Sequence, residues 1–221
     1  MDFDFSPIVD SWRFLASGLG LTLLLSAAAV VTSFAAGLAV GLGRLYGPVW
    51  LRVPLVFYID SMRAIPVFVV LVWIYFAVPI LTGHTFQPFW AALVGITIHV
   101  AAYVAEVVRA GIGSIRKGQV QAGLAIGMSM PQIVREILLP QAIVRMLPAL
   151  GSIVSVTIKD TAIAAVIAVP ELMRQAETLA GETYRPIEIF TTVMVVYFLV
   201  IFPVTRAIDR LYGRVAHLGR S

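Results

Sequence analysis

Five apolar stretches, each about twenty residues or longer, dominate this 221-residue chain and constrain its fold more than any other feature. A helix of about 20 apolar residues is long enough to cross the ~30 Å hydrocarbon core of a bilayer. Only 13% of the residues are charged, whereas soluble domains average about a quarter. We therefore predict an all-α membrane protein, because a helix satisfies its backbone hydrogen bonds within one segment.

The five predicted spans form a single transmembrane domain over residues 1–221. Pro66 lies inside the second span and is predicted to bend it or to open its hydrogen-bond ladder, because proline cannot donate a backbone hydrogen bond. Gly37 and Gly41 in the first span are four residues apart, a spacing that lets helices pack closely in lipid. The spans are predicted at about residues 14–43, 53–80, 89–110, 147–169 and 189–208, with a cytoplasmic loop at about 111–146.

The distribution of basic residues predicts the orientation of the spans. Loops on the cytoplasmic side of a membrane carry an excess of Lys and Arg. Eleven basic residues lie between spans one and two, around the segment between spans three and four, or after span five, and only three lie on the opposite side. The N-terminus is therefore predicted outside and the C-terminus in the cytoplasm. The eleven are Arg44, Arg52, Arg109, Arg116, Lys117, Arg135, Arg145, Arg206, Arg210, Arg214 and Arg220, against Arg13, Arg174 and Arg185.

The segment GSIRKGQVQAGLAIGMSMPQIVREILLP (113–140) interrupts the apolar pattern with small and basic residues. It predicts a short helix of about ten residues that ends near Gly127. A second helix follows, with Ser129 placed to cap it and Pro131 acceptable in its first turn. Ala122, Leu124, Ala125 and Ile126 give the first helix a compact apolar surface, which suits a groove on another protein.

Several motifs in the chain resemble one family of membrane transport proteins. The run GQVQAGLAIGMS resembles the EAA coupling loop of ABC-transporter membrane subunits, with Gln121 in place of the usual glutamate and Gly123 in place of the second alanine. Four longer stretches resemble the polar amino-acid permeases, which include histidine, glutamine and glutamate/aspartate importers. They are SMRAIPVFVVLVWIYFAVP (61–79), AAYVAEVVRAGIGSIRKGQ (101–119), LPQAIVRMLPAL (139–150) and IKDTAIAAVIAVPEL (158–172).

This resemblance implies the type I ABC importer permease architecture, in which five transmembrane helices carry a cytoplasmic coupling helix between spans three and four. It implies location in the bacterial cytoplasmic (inner) membrane. The expected partners are a second permease subunit, alike or different, two copies of a cytoplasmic ABC ATPase, an extracytoplasmic amino-acid-binding protein and membrane lipid, but no nucleic acid. The residues expected to couple to the ATPase are Gly118, Gln119, Gln121, Ala122, Gly123, Leu124 and Gly127.

The chain itself is not expected to be an enzyme. It lacks the G-x-x-x-x-G-K phosphate loop, and its only lysines are Lys117 and Lys159. No catalytic residue, metal ligand set or cofactor is predicted for it, so ATP and Mg²⁺ are expected on the partner ATPase. The predicted function is to move polar amino acids, with glutamate/aspartate suggested by analogy, across the membrane by alternating access.

Ionisable residues inside spans are candidates for contact with the substrate, because each costs about 2.5–3.5 kcal/mol to insert. Arg63 or Lys159 is expected to bind the carboxylate of an amino acid, and Asp160 or Glu106 its ammonium group. Thr161 is expected to add a hydroxyl contact.

Structural roles for the same residues are open alternatives. Lys159 and Asp160 are adjacent on a helix and point about 100° apart, so both cannot face one narrow path squarely. Glu106 and Arg109 are three residues apart and are placed to neutralise each other.

Other functions, and the structure of the acidic segment at 170–188, are also left open. An ion-coupled secondary transporter is the main alternative, but such proteins usually contain more spans and internal repeats. An intramembrane enzyme and a non-transporting assembly subunit are less favoured by the residues present. The acidic segment at 170–188 is predicted outside, either as a short helix that docks the binding protein or as a solvated loop.

Overall fold

A computed structural model describes residues 3–216, and these residues are helical, with no strand among them. Arg220, one of the eleven basic residues counted above, lies outside the described residues. The helices are α1 Ser6–Asp10, α2 Trp12–Tyr46, α3 Val49–Ala64, α4 Val67–Thr82, α5 Pro88–Gly113, α6 Lys117–Ala125, α7 Met130–Ile167, α8 Leu172–Thr183 and α9 Pro186–Val215.

Four of these helices, α2, α5, α7 and α9, are long and apolar enough to cross a membrane, and the bent pair α3 and α4 makes a fifth span if it is counted as one. Each predicted span therefore corresponds to helical structure, but the fourth differs in its start. Helix α7 begins at Met130 rather than at residue 147. The segment between α5 and α7 covers residues 114–129, and the rest of the predicted cytoplasmic loop, residues 130–146, forms the first part of α7.

The second span is two helices that turn by 109° at a short break, and not the continuous helix predicted over 53–80. Helix α3 ends at Ala64, because the residue before a proline avoids helical backbone angles, and Ile65 is extended (φ −95°, ψ 131°). The Tyr103 hydroxyl of α5 lies 3.4 Å from the Arg63 carbonyl, one of those left without a helical partner at the end of α3. Pro66 thus both bends the span and opens its hydrogen-bond ladder, the two effects predicted for it.

Helices α2 and α5 form the most extensive helix pair and run in the same direction. Gly37 lies against Ala101 and Val104, and Gly41 lies one turn further along both helices. A Cβ atom at Gly37 would stand 2.5 Å from Val104 Cβ, so only glycine allows this approach. The predicted packing role of Gly37 and Gly41 is confirmed.

The alternating directions of the spans separate basic from acidic residues. Helices α2, α5 and α9 finish at one end of the bundle, called here the basic end, where Arg44, Arg109 and Arg145 lie near the segment at 114–129. The opposite end, called the acidic end, carries Glu171 and Glu188. The charge asymmetry seen in the sequence is therefore a property of the folded bundle.

Candidate functional site

A cavity of about 300 Å³ lies between α4, α5 and α7, close to the break in the second span. Val67, the first residue of α4, lines it together with residues of α5 and α7. Its volume is at the low end of the range for small-molecule sites. The polar residues of its lining are His99, Tyr103, Ser152, Thr157 and Asp160, and no Lys or Arg of the described chain lines it.

Asp160 is the only carboxylate among the described residues that line this cavity. It ends the regular part of α7, and the chain continues as a tighter 3₁₀ turn over Thr161–Ile167. The hydroxyls of Ser152 and Thr157 are bonded to carbonyls of the preceding turn of α7. Asp160 therefore offers the cavity a hydrogen-bond acceptor suited to an ammonium group.

Lys159 points away from Asp160 into a separate groove between α7 and α9. Thr205 and Asp209 of α9 line the same groove. The expectation that adjacent residues cannot both face one path agrees with this geometry. Lys159 is thus outside the Asp160 cavity, and its contact with a substrate stays a prediction.

Glu106 lies at the centre of a cluster of three arginines near the basic end. Arg44 Nη1 donates to Glu106 Oε2 at 2.7 Å, and Arg109 Nε donates to both carboxylate oxygens at 3.0 Å. Arg63 Nη1 is 4.0 Å from Glu106 Oε2. One carboxylate therefore serves three guanidinium groups, and this leaves a local excess of positive charge.

The predicted substrate residues are thus divided among different places in the structure. Arg63 and Glu106 belong to the arginine cluster, while Asp160 lines the cavity. Thr161 is fully buried, donates to the Ile158 carbonyl at 2.8 Å and lies 3.4 Å from the Ser26 hydroxyl of α2. Its side chain packs between helices, so the hydroxyl contact predicted for it has no accessible surface in this conformation.

The segment at 114–129 contains the short helix and the turn that the sequence predicts. Helix α6 covers nine residues, and Gly127 adopts φ +82°, a left-handed conformation that glycine reaches without a steric penalty. The Met128 N–H bonds to the Gly123 carbonyl at 3.0 Å and closes the turn. Ser129 and Gln132 form a capping box at the start of α7, so the predicted cap is confirmed.

The residues of α6 fall on two different faces. Gly123 is buried against Ile133 of α7, and a Cβ atom there would meet Ile133 Cγ1 at 2.7 Å. This contact explains why glycine suits a position that is alanine in the EAA motif. The residues that remain exposed include Gly118, Gln121, Ala122, Leu124 and Ile126, whereas Gln119 is half-buried.

The acidic segment after α7 is a packed helix rather than a solvated loop. Glu171 is fully buried and caps α8 by accepting the N–H groups of Met173 and Arg174. It also accepts the hydroxyls of Thr22 and Tyr197, which ties α8 to α2 and α9. Burial raises the pKa of the Glu171 carboxyl above its usual value, although these hydrogen bonds oppose the shift.

Sequence reasoning missed several residues of the site, although the signals are present. His99 and Tyr103 are four residues apart on α5, and Thr157 and Asp160 are three apart on α7, so each pair forms a polar stripe on an apolar helix. The two stripes face each other across the cavity. Arg44 was missed as a partner of Glu106 because only the parallel packing of α2 and α5 brings them together.

Comparison with known proteins agrees with this architecture. The family model described as "Binding-protein-dependent transport system inner membrane component" matches residues 33–217. The glutamine transport system permease protein of Escherichia coli (strain K12) is 37% identical over 97% of this chain and 99% of its own length. The L-cystine transport system permease protein of Bacillus subtilis (strain 168) is 33% identical over 90% of this chain and 85% of its own length.

A solved structure has the same fold. The crystal structure of an amino acid ABC transporter with histidines contains a chain that superposes with a TM-score of 0.90. That chain is 32% identical, and the match covers 97% of this chain and 100% of the other. The all-helical type I importer architecture that the resemblance implied is therefore confirmed. The chain belongs to the family of inner-membrane components of binding-protein-dependent transport systems.

Proposed function

We propose that this chain is the permease subunit of an ATP-driven importer of amino acids in the bacterial inner membrane. The observation that carries the proposal is the Asp160 cavity, which lies inside the span bundle beside the break in the second span. The family match favours this function over an ion-coupled secondary transporter, because members of the family work with a binding protein. The relatives, which are glutamine and L-cystine permeases, support an amino acid as the cargo.

The charge of the cavity supports a neutral or basic cargo rather than glutamate or aspartate. Asp160 would bind the ammonium group that every amino acid carries. A side-chain carboxylate would enter a cavity whose lining in the described chain offers one carboxylate and no cation. Like charges in a poorly solvated site repel strongly. The glutamate/aspartate assignment suggested by the N-terminal and second-span sequences is therefore not the one we propose.

Alternating access would use the break in the second span. Val67 follows the break directly and lines the cavity, so a change in the angle between α3 and α4 would move one wall of the cavity. Hinges are usually a few residues that absorb a large backbone change. We assign this role to residues 64–67.

Coupling to the ATPase would use the exposed face of α6. Leu124 and Ile126 are large apolar side chains that are half or more exposed, and Ala122 lies beside them. An exposed apolar face on a short helix fits a groove on a partner protein. The basic end would then face the cytoplasm, with the N-terminus outside, as the excess of basic residues predicts.

Replacement of Asp160 tests the proposed cargo site. In a purified complex of this chain with its ATPase, Asp160→Asn is expected to weaken the binding of radiolabelled L-glutamine at least about tenfold, because hydrogen bonds to charged groups contribute about 1.5–3 kcal/mol. Asp10→Asn, at an exposed position near the acidic end, is the matched control and should bind normally. Equal binding by both variants would remove Asp160 from the site.

Lys159→Ala tests the prediction that Lys159 binds the carboxylate of the transported amino acid. If Lys159 binds the carboxylate of the cargo in the groove between α7 and α9, where a second permease subunit would face it, Lys159→Ala should lose uptake. The variant should still assemble with its ATPase. Unchanged uptake would leave Lys159 without a transport role.

A further inference from the structure

One buried side chain of the Asp160 cavity has no hydrogen-bond partner among the described residues. His99 is 7% exposed, lines the cavity, and makes no side-chain hydrogen bond among the described residues. Its ring contacts that of Tyr103, with centroids 5.3 Å apart. The hydroxyl of Tyr103 donates to the Arg63 carbonyl at 3.4 Å, and no hydrogen bond joins it to His99 in the described part of the chain.

The two ring nitrogens of His99 have different environments. Nδ1 is enclosed and has no hydrogen-bond partner. Nε2 also makes no hydrogen bond among the described residues, but it is not enclosed. A neutral imidazole carries one N–H and one lone pair. A proton on Nδ1 would be an enclosed donor without an acceptor, whereas a proton on Nε2 would not be enclosed. The proton therefore belongs on Nε2, which leaves an N–H available to the cavity.

We infer that His99 is a cargo-binding residue whose Nε2–H donates a hydrogen bond to an oxygen atom of the transported amino acid. This inference rests on the proposed function, and it adds a donor to the acceptor that Asp160 supplies. A zwitterion needs both, since its ammonium group donates and its carboxylate accepts. The oxygen is either that of the main-chain carboxylate or one in the side chain of the cargo.

The test is equilibrium binding of radiolabelled L-glutamine and L-alanine to the purified permease–ATPase complex without the binding protein. His99→Phe keeps an aromatic ring beside Tyr103 but removes the donor, and His99→Asn keeps a donor. His99→Phe should raise the Kd for L-glutamine about 3- to 100-fold, the range for losing a neutral or a charged hydrogen bond. His99→Asn should recover a substantial part of this loss.

The two probes distinguish the source of the oxygen. Both amino acids lose affinity alike in His99→Phe if the main-chain carboxylate is bound, whereas only L-glutamine loses affinity if His99 contacts the side chain. Thermal unfolding of each complex shows whether His99→Phe is folded, and an unfolded variant is replaced by His99→Leu in the same comparison.

The outcomes separate this inference from the proposed function. If wild type binds amino acids and folded His99→Phe or His99→Leu binds them equally well, the assignment of His99 is overturned while the importer function stands. If wild type binds neither these probes nor any other L-amino acid, the proposed function fails and the role of His99 fails with it.

Discussion

Replacing Glu106 by glutamine should destabilise the protein, because it removes the one carboxylate shared by three arginines. Glutamine has nearly the same shape, so the change isolates charge from packing. Its amide N–H groups would face the donors of Arg44 and Arg109, which now bond to the two carboxylate oxygens at 2.7 and 3.0 Å. The three guanidinium groups would then repel one another without a counter-charge.

The magnitude follows from the burial of the cluster. Unit charges 4 Å apart interact by about 4 kcal/mol at an effective dielectric constant of 20. Removal of one partner costs about 3–5 kcal/mol in a buried pair, whereas an exposed pair contributes about 0–1 kcal/mol. The Glu106 and Arg44 side chains are 22% and 19% exposed, nearer to the buried case, whereas Arg63 and Arg109 are 41% exposed and their contribution is reduced by solvent screening. We expect a loss of about 2–3 kcal/mol in the free energy of unfolding.

Thermal unfolding of the purified protein measures this effect. A loss of 2–3 kcal/mol corresponds to a fall in Tm of about 4–12 °C for a chain of this length. The matched control is Glu136→Gln, because Glu136 also pairs with an arginine, Arg135, but both side chains are largely exposed. Its Tm should change by no more than about 4 °C. Equal shifts for the two variants would refute the reasoning.

Three further predictions test other elements. Gly127→Ala should increase the ATP consumed per amino acid transported, because a left-handed residue other than glycine costs about 1–2 kcal/mol and would displace α6. The control Gly113→Ala, which has open space around it, should leave this ratio unchanged, and equal ratios of ATP to amino acid in the two variants would contradict the docking role of α6. Gly37→Val should lower stability by about 1–3 kcal/mol in thermal unfolding through overpacking, whereas Gly20→Val should be neutral; matching Tm values would show that the close approach is unimportant. Burial raises the folded-state pKa of Glu171, so its protonation stabilises the fold at low pH, and this stabilisation is lost as pH rises through the raised pKa. Tm should therefore depend less on pH in Glu171→Gln than in wild type, and an equal pH dependence of Tm in the two proteins would contradict this.

The sequence predicted the parts of the fold that depend on local chemistry. Apolar length placed five spans, Pro66 marked the discontinuity in the second, and the Ser129 cap with Gly127 defined the turn after α6. Each of these features depends on residues that determine the backbone conformation of the helix or turn in which they lie. The sequence predicted a helix capped by Ser129 but not its continuation into the fourth span, because residues 130–146 contain Arg and Glu, which hydropathy counts against a span.

The site could be predicted only in part, because its groups come from different helices. Asp160 stood out as a charge inside a span, and helix geometry predicted that Lys159 would point elsewhere, but nothing local showed which groove Lys159 would face or that Thr161 would be enclosed. Arg109, three residues away, was a visible partner for Glu106. The bond of Glu106 to Arg44, which is 62 residues away in sequence, depends on the packing of α2 against α5. Such contacts are set by the directions of packed helices and not by spacing along the chain.

Uptake by reconstituted vesicles tests the central claim most directly. The chain would be inserted with its ATPase, and radiolabelled L-amino acids would be presented with the binding protein, either with ATP available to the ATPase or without it. We predict accumulation only when ATP is hydrolysed, and loss of that accumulation in Asp160→Asn. Accumulation driven by an ion gradient in vesicles that contain this chain without any ATPase would contradict it.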